Sequence, residues 1–212
     1  KNDSIMKKLI ALVLSLFFFC STSIFANDIS EFEIEGISIG DSLLNYMTED
    51  EILEEIEKMK DSYFYLNEPN KFIEIYIRKD YPIYDVVSVF IKNNSSNQYI
   101  SIRDEKFIIQ SVRGMTRYNE DFDTCKLRRD EIHDILSKMF PNQKKIKEVF
   151  DHPQEPSGNS IIDSVSFNFI SGDQATIKCN DWEENFRIDN NYFEGLSVEM
   201  LSDEILSWLS DQ

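Results

Sequence analysis

Apolar residues recur along this chain with two different periods, and the periods alternate. A helical spacing appears at Ile52, Leu53, Ile56 and Met59, behind Thr48 and Glu51 at capping-box distance and with Glu49 and Asp50 where the helix dipole favours acid. This predicts a helix, preceded by a short turn over Asp41 to Met47. Ile132, Ile135, Leu136, Met139 and Phe140 form a second stripe, closed by Pro141. A third, near the carboxyl end, sets Leu201, Ile205, Trp208 and Leu209 on one face behind a Ser202 cap.

Between the first two stripes the period falls to two. Phe72 to Ile77, Val86 to Ile91 and Phe107 to Val112 read as antiparallel strands, broken by the turn-rich Asn93-Asn94-Ser95-Ser96-Asn97. A second block holds Ile161 to Ile170 and Ala175 to Cys179, joined through Ser171-Gly172-Asp173 as a hairpin. A lone strand at Phe32 to Glu35 opens the domain, and His152 to Ser160, with two prolines and a glycine, reads as an exposed loop. The expected fold is α+β, a mainly antiparallel sheet in two strand-rich blocks with about three helices packed on one face. The triplet Asp-Glu-Ile recurs at 50–52, 130–132 and 203–205, which acid in a first helical turn explains without an internal duplication.

The amino end carries a different signal. Met6-Lys7-Lys8 gives a positive start, Leu9 to Cys20 twelve apolar or small residues, and Ser21 to Ala26 a small, polar end. That order predicts a secretory signal peptide over residues 1–26, cut after Ala26, with residues 1–5 as non-native upstream sequence and 27–212 as one domain. The apolar run is short of the roughly 20 residues that span a bilayer, so no transmembrane segment is expected in the mature chain. Cys20 follows Phe17-Phe18-Phe19, too bulky for a lipid-attachment site, and is assigned to the discarded leader.

Removing the leader takes away three lysines and one aspartate, leaving 19 basic against 38 acidic residues, a formal charge of −19. Such a surface repels phosphate backbones, and the clusters Arg128-Arg129 and Lys144-Lys145 are too short to reverse it, so nucleic acid is not an expected partner. Only Cys125 and Cys179 remain, an even number in an oxidising compartment, and they are expected to pair. Closing that loop contributes roughly 4 kcal/mol in the chain-entropy model. Neither cysteine lies in a Cys-x-x-Cys unit, and His133 and His152 have no zinc-like spacing to them, so no metal or cofactor is expected. The acidic run Glu49 to Glu57 and the group Glu120, Asp121 and Asp123 lack the alternating calcium-loop pattern. Tyr63-Phe64-Tyr65 places at least one aromatic on each face and marks an exposed contact patch.

Gly40-Asp41-Ser42-Leu43 resembles the nucleophile block of the GDSL hydrolases, and Asp130-Glu131-Ile132-His133 resembles their Asp-x-x-His block. The resemblance implies Ser42 as nucleophile, His133 as base and Asp130 as its orienting acid. That family is a parallel α/β sandwich with a Gly-x-Asn-Asp block between and its Asp-x-x-His near the carboxyl end. Here the middle block is absent and 79 residues follow His133. Asp130 and His133 also fall inside a periodic helix, where residues three apart are ordinary neighbours. A cap is the simpler role for Ser42 or Asp41.

The stretch Phe32 to Leu44 (FEIEGISIGDSLL), the Cys125 segment and Cys179-Asn180-Asp181-Trp182 resemble an uncharacterised family of short exported proteins from small-genome marine bacteria. That resemblance implies export and a single domain, and brings no catalytic residue. Ile39-Gly40 before a short helix is similar to the start of small envelope lipoprotein modules used in outer-membrane assembly. The expected function is a non-enzymatic, soluble periplasmic module that binds a protein or small ligand in the cell envelope. The alternatives are a GDSL-like envelope hydrolase using Ser42, and an exported inhibitor presenting an acidic face to a basic enzyme.

Overall fold

The computed structural model describes residues 29–93, 105–118, 121–152 and 155–210. The expected leader with Cys20 and Ala26, Asn27, the turn residues Asn94 to Asn97, Glu120 and Pro153 lie outside them.

Helix α1 (Glu49–Met59) begins where its capping box requires. The Thr48 side chain accepts from Glu51 N, and the Glu51 carboxylate accepts from Thr48 N at 2.8 Å. Just before it, Ser42 caps a single 3₁₀ turn (Leu43–Asn45). Helix α2 (Phe122–Met139) starts ten residues ahead of its apolar stripe, with Asp121 as N-cap accepting from Thr124 N at 3.1 Å. Its buried face therefore runs through Cys125, Arg129, Leu136 and the following Phe140, while Ile135 turns outward at 38 % exposure. Helices α3 (Glu184–Asn190) and α4 (Asp203–Ser210) follow, and α3 has no apolar stripe that announces it.

Seven strands form one sheet in which every neighbouring pair is antiparallel: β1 (Phe72–Ile77), β2 (Val86–Lys92), β3 (Ile109–Arg117), β4 (Lys144–Asp151), β5 (Ile161–Asn168), β6 (Gln174–Asp181) and β7 (Gly195–Leu201). Their order is β1-β2-β3-β7-β6-β5-β4. The α+β class and the antiparallel sheet are as expected. The two sequence blocks are two meanders, and β7 joins them by pairing with both β3 and β6.

Several local expectations change. Phe32 to Glu35 is not a strand: Glu35 and Gly36 both take positive φ (54° and 77°) and turn the chain so that Ile34 and Ile37 bridge each other. The third strand does not stop at Val112 but runs to Arg117, because the charge of Arg113 is met inside the fold. β4 and β7 are unannounced. β4 is a lysine-rich, exposed edge, whereas β7 is buried along its length and so lacks the alternation of a half-exposed strand. Leu201 ends β7 instead of opening a helix, and Ser202 then caps α4 by accepting from Ile205 N.

Alternation divides the sheet into two faces. On one, Ile73, Ile75, Val87, Val89, Val198, Ile177 and Phe167 pack against Ile52 and Ile56 of α1 and Leu136 of α2, with Ile34, Ile37 and Leu43 closing the edge. Gly114 belongs to this face because the Tyr84 ring lies 2.7 Å from where its Cβ would stand. Cys125, in the first turn of α2, is bonded to Cys179 on β6, with Cα atoms 5.9 Å apart. The helices are not confined to that face. On the other, α4 sets Ile205 and Trp208 on Phe72, Phe90 and Leu66, and Trp208 Nε1 donates to Asn67 O at 3.0 Å. That cluster covers only part of the second face.

Candidate functional site

What α4 leaves uncovered is a cleft of about 860 Å³ floored by the second face of the sheet. Its floor is polar because alternate positions of otherwise apolar strands carry polar side chains. Ser88, Arg113, Glu199, Thr176 and Ser166 form one cross-strand row along this face over β2, β3, β7, β6 and β5, and of the five Arg113 lines the cleft itself. Arg113 stands at the centre. It is ion-paired to Glu74 and, at 3.3 Å, to Glu199, and its Nε donates to Ser88 Oγ at 3.2 Å. Ser88 Oγ and Tyr63 Oη each donate to Glu74 at 2.9 Å, and Lys178 Nζ donates to Glu199 at 2.6 Å.

The network fixes charge states. Burial works against the Arg113 cation, but Glu74 and Glu199 outweigh it and hold its pKa above the ordinary arginine value. Burial likewise pushes the Glu199 carboxyl up, and Lys178 and Arg113 bring it below the usual range. The Tyr63 hydroxyl is raised by burial and then by Glu74, so it stays a donor. Buried ion pairs of this kind are weak contributors to net stability but rigid ones, because each charge is held by several partners.

One wall is aromatic. After β6, Trp182 Nε1 donates to Phe193 O at 2.8 Å, and α3 ends at Asn191 in the left-handed conformation (φ 52°), which returns Tyr192 against Trp182 with ring centroids 5.0 Å apart. His152 packs in the same cluster, 5.1 Å from Trp182 and 5.6 Å from Phe186. Burial lowers its pKa below the ordinary histidine value, with Glu155 opposing. Glu155 organises the loop behind it, accepting from Ser157 N, Asn159 N and Ser160 N. Burial alone would raise its carboxyl, and those bonds bring it down to about 2. The loop expected to be simply exposed thus has a buried acid at its centre. Phe64 and Tyr65, next in sequence to the cleft-lining Tyr63, are 77 % and 54 % exposed, so the aromatic triplet does present an outward patch while Tyr63 turns in.

Charge sets the cleft apart from the rest of the chain. Its lining includes Arg78, Lys79, Arg113, Arg117 and Arg187 against Glu74, Asp85 and Glu194, a local cationic excess in a chain of formal charge −17. Ser197, on the floor and 5 % exposed, has an Oγ with no hydrogen-bond partner. A second concavity of about 610 Å³ beside Thr48 and Lys106 is less suited to a ligand, since its polar groups already bond one another: Thr48 with Glu51, and Lys106 with Glu49 at 3.0 Å.

The hydrolase residues are not assembled. Ser42 Oγ donates to Lys106 O at 2.7 Å, and the residue is buried. The ring nitrogens of His133 meet Asp134 and Ser137, its neighbours on α2, both at 3.2 Å. Asp130 accepts from Arg129 at 2.8 Å. Among the described residues no group of three or more His, Cys, Asp or Glu side chains is arranged for a metal ion, and no helix is long and apolar enough to cross a membrane.

The sequence reading missed this cleft. Its signal was present in the polar residue between apolar ones at Glu74, Ser88 and Arg113, but that alternation equally describes a solvated sheet face. No protein-family model, curated protein or solved structure matches the chain.

Proposed function

We propose that this chain is an exported, non-enzymatic ligand-binding module of the cell envelope, and that the cleft on the second face of the sheet is its binding site. The observation that carries the reading is the cleft itself. Cations gather there on an otherwise acidic chain, around a floor whose charged groups are held in place and whose buried Ser197 hydroxyl has no partner. A mostly pre-formed concavity with a few fixed polar groups and aromatic walls is the usual form of a small-ligand site. Export is supported by the Lys7-Lys8, apolar, Ala26 order and by the Cys125–Cys179 bridge, which suits an oxidising compartment. The non-enzymatic part is supported by Ser42, His133 and Asp130 each being bonded elsewhere. The exposed Phe64 and Tyr65 stand beside a cation-rich cleft, which favours ligand capture over display of an acidic face to a basic enzyme.

The test is a thermal-shift screen of the purified chain against small organic acids, oligosaccharides and peptides, with hits mapped by amide NMR shifts. Hits should perturb β3, β6 and β7 and weaken in Trp182→Ala. Hits that map to the concavity beside Thr48, or that ignore Trp182→Ala, would remove the cleft from consideration. For export, mass spectrometry of the protein recovered from the envelope should find Asn27 at its amino terminus, and a retained Met6 would defeat that part.

A further inference from the structure

The cleft has an end with a more specific shape. Arg117 at the close of β3, Gly195 at the start of β7 and Asn180 on β6 lie in one cross-strand row. Gly195, at φ 126°, offers no side chain, and an added Cβ would strike Thr116 O at 2.4 Å. That close backbone contact keeps the position glycine, so the middle of the row carries no side chain and forms a notch between Arg117 on one side and Asn180 on the other, both of which line the cleft. Ser197, two residues along β7 on the same face, lies beside it.

The polar groups around this notch are unspent. The Arg117 guanidinium stacks over the Phe193 ring at 4.9 Å, and only its backbone N–H is bonded to Asp85. Among the described residues neither that guanidinium nor the Asn180 amide has an ion-pair or hydrogen-bond partner, in contrast to Arg113 four residues earlier, whose donors are taken by Ser88, Glu74 and Glu199. Ser197 Oγ is buried and also unpartnered. Next to these donors stand Trp182 and Tyr192, half-buried, their rings braced by each other and by His152.

We propose that the notch over Gly195 is a carboxylate subsite, and that the ligand of the cleft is a small organic acid carrying a flat ring face. The carboxylate sits between Arg117 and Asn180, with the Ser197 hydroxyl as a further donor, and the ring lies against Trp182 and Tyr192. Each group matches its role. Guanidinium offers two parallel N–H donors to a carboxylate, and stacking on Phe193 holds that fork in place. Both sugar rings and aromatic rings pack on indole and phenol faces, so a sugar acid and an aromatic acid are the two sources of this chemistry. The inference rests on the cleft being the ligand site.

Calorimetric titration of the purified chain, at low and at physiological salt, separates the cases. The probes are an oligomer of glucuronic acid, phenylacetate, and their neutral counterparts, an oligomer of glucose and phenylacetamide. One acid should bind at least tenfold more tightly than its neutral counterpart, and which acid does so identifies the source. Arg117→Met should weaken that acid at least tenfold without moving the melting temperature, while Lys106→Met, a charge removed outside the cleft, should leave it unchanged. Equal binding of an acid and its neutral counterpart, or an Arg117→Met variant that binds as the parent does, overturns the subsite. If binding is instead lost in Trp182→Ala alone, the cleft reading survives and the carboxylate does not. Absence of binding by both acids at millimolar concentration also overturns the subsite, and the cleft then stands or falls on the wider screen.

Discussion

Arg129 of α2 and Asp163 of β5 form an ion pair inside the helix–sheet interface, with the arginine 2 % exposed. Asp130 accepts from the same guanidinium at its outer edge. A charge that far from water is tolerated only when it is paired, and removing one partner strands the other.

Arg129→Met should therefore destabilise the protein by roughly 3–5 kcal/mol, because Asp163 is left charged and buried. Adding Asp163→Leu should recover most of the loss. Urea unfolding of the single and double variants measures this, and a double variant no better than the single one would mean that the pair matters for shape more than for charge.

The Cys125–Cys179 bridge ties the first turn of α2 to β6, over a sequence separation of 54 residues. Reduction, or the Cys125→Ser/Cys179→Ser pair, should cost roughly 4 kcal/mol in the chain-entropy model. For a domain of this size that lowers the melting midpoint by about 8–16 °C. Calorimetry under oxidising and reducing conditions gives the comparison, and thiol titration of the oxidised protein should find no free group at either position.

Acid should weaken the fold in two stages. His152 has a folded pKa below its ordinary 6.5, so the unfolded chain binds that proton more readily; its contribution is complete above 6.5 and falls as the pH drops through that value. Glu155 is depressed from 4.5 to about 2, so its contribution is present above 4.5 and is lost between there and 2. Stability measured from pH 8 to pH 2 should show both declines. His152→Phe should flatten the first and Glu155→Gln the second. A profile unchanged by either variant would place the acid sensitivity elsewhere.

Ser42 should behave as a cap. A serine-reactive fluorophosphonate should leave it unlabelled, since its hydroxyl is buried and committed to Lys106 O, and Ser42→Ala should cost about 1 kcal/mol. Stoichiometric labelling lost in that variant would restore the hydrolase reading.

The sequence by itself determined the local features: the Thr48–Glu51 capping box, the Ser202 cap, the Ser171-Gly172-Asp173 hairpin, the α+β class and the choice of Cys125 and Cys179 as partners. These depend on residues a few positions apart or, for the cysteines, on setting Cys20 aside with the expected leader, which leaves two of the three to pair. What tertiary structure alone decided was the position of β7 between β3 and β6, the placement of α4 on the opposite face from α1 and α2, and the cleft this leaves. Gly195-Leu196-Ser197-Val198-Glu199 does not read as a central strand, because Glu199 and Ser197 look like solvent positions until Lys178 and Arg113 arrive from neighbouring strands. Arg129 likewise reads as a surface charge until Asp163, 34 positions later, is folded against it. A charged residue's burial depends on a partner that sequence proximity does not supply, and the floor around Arg113 and the helix–sheet interface around Arg129 are both built from such pairs.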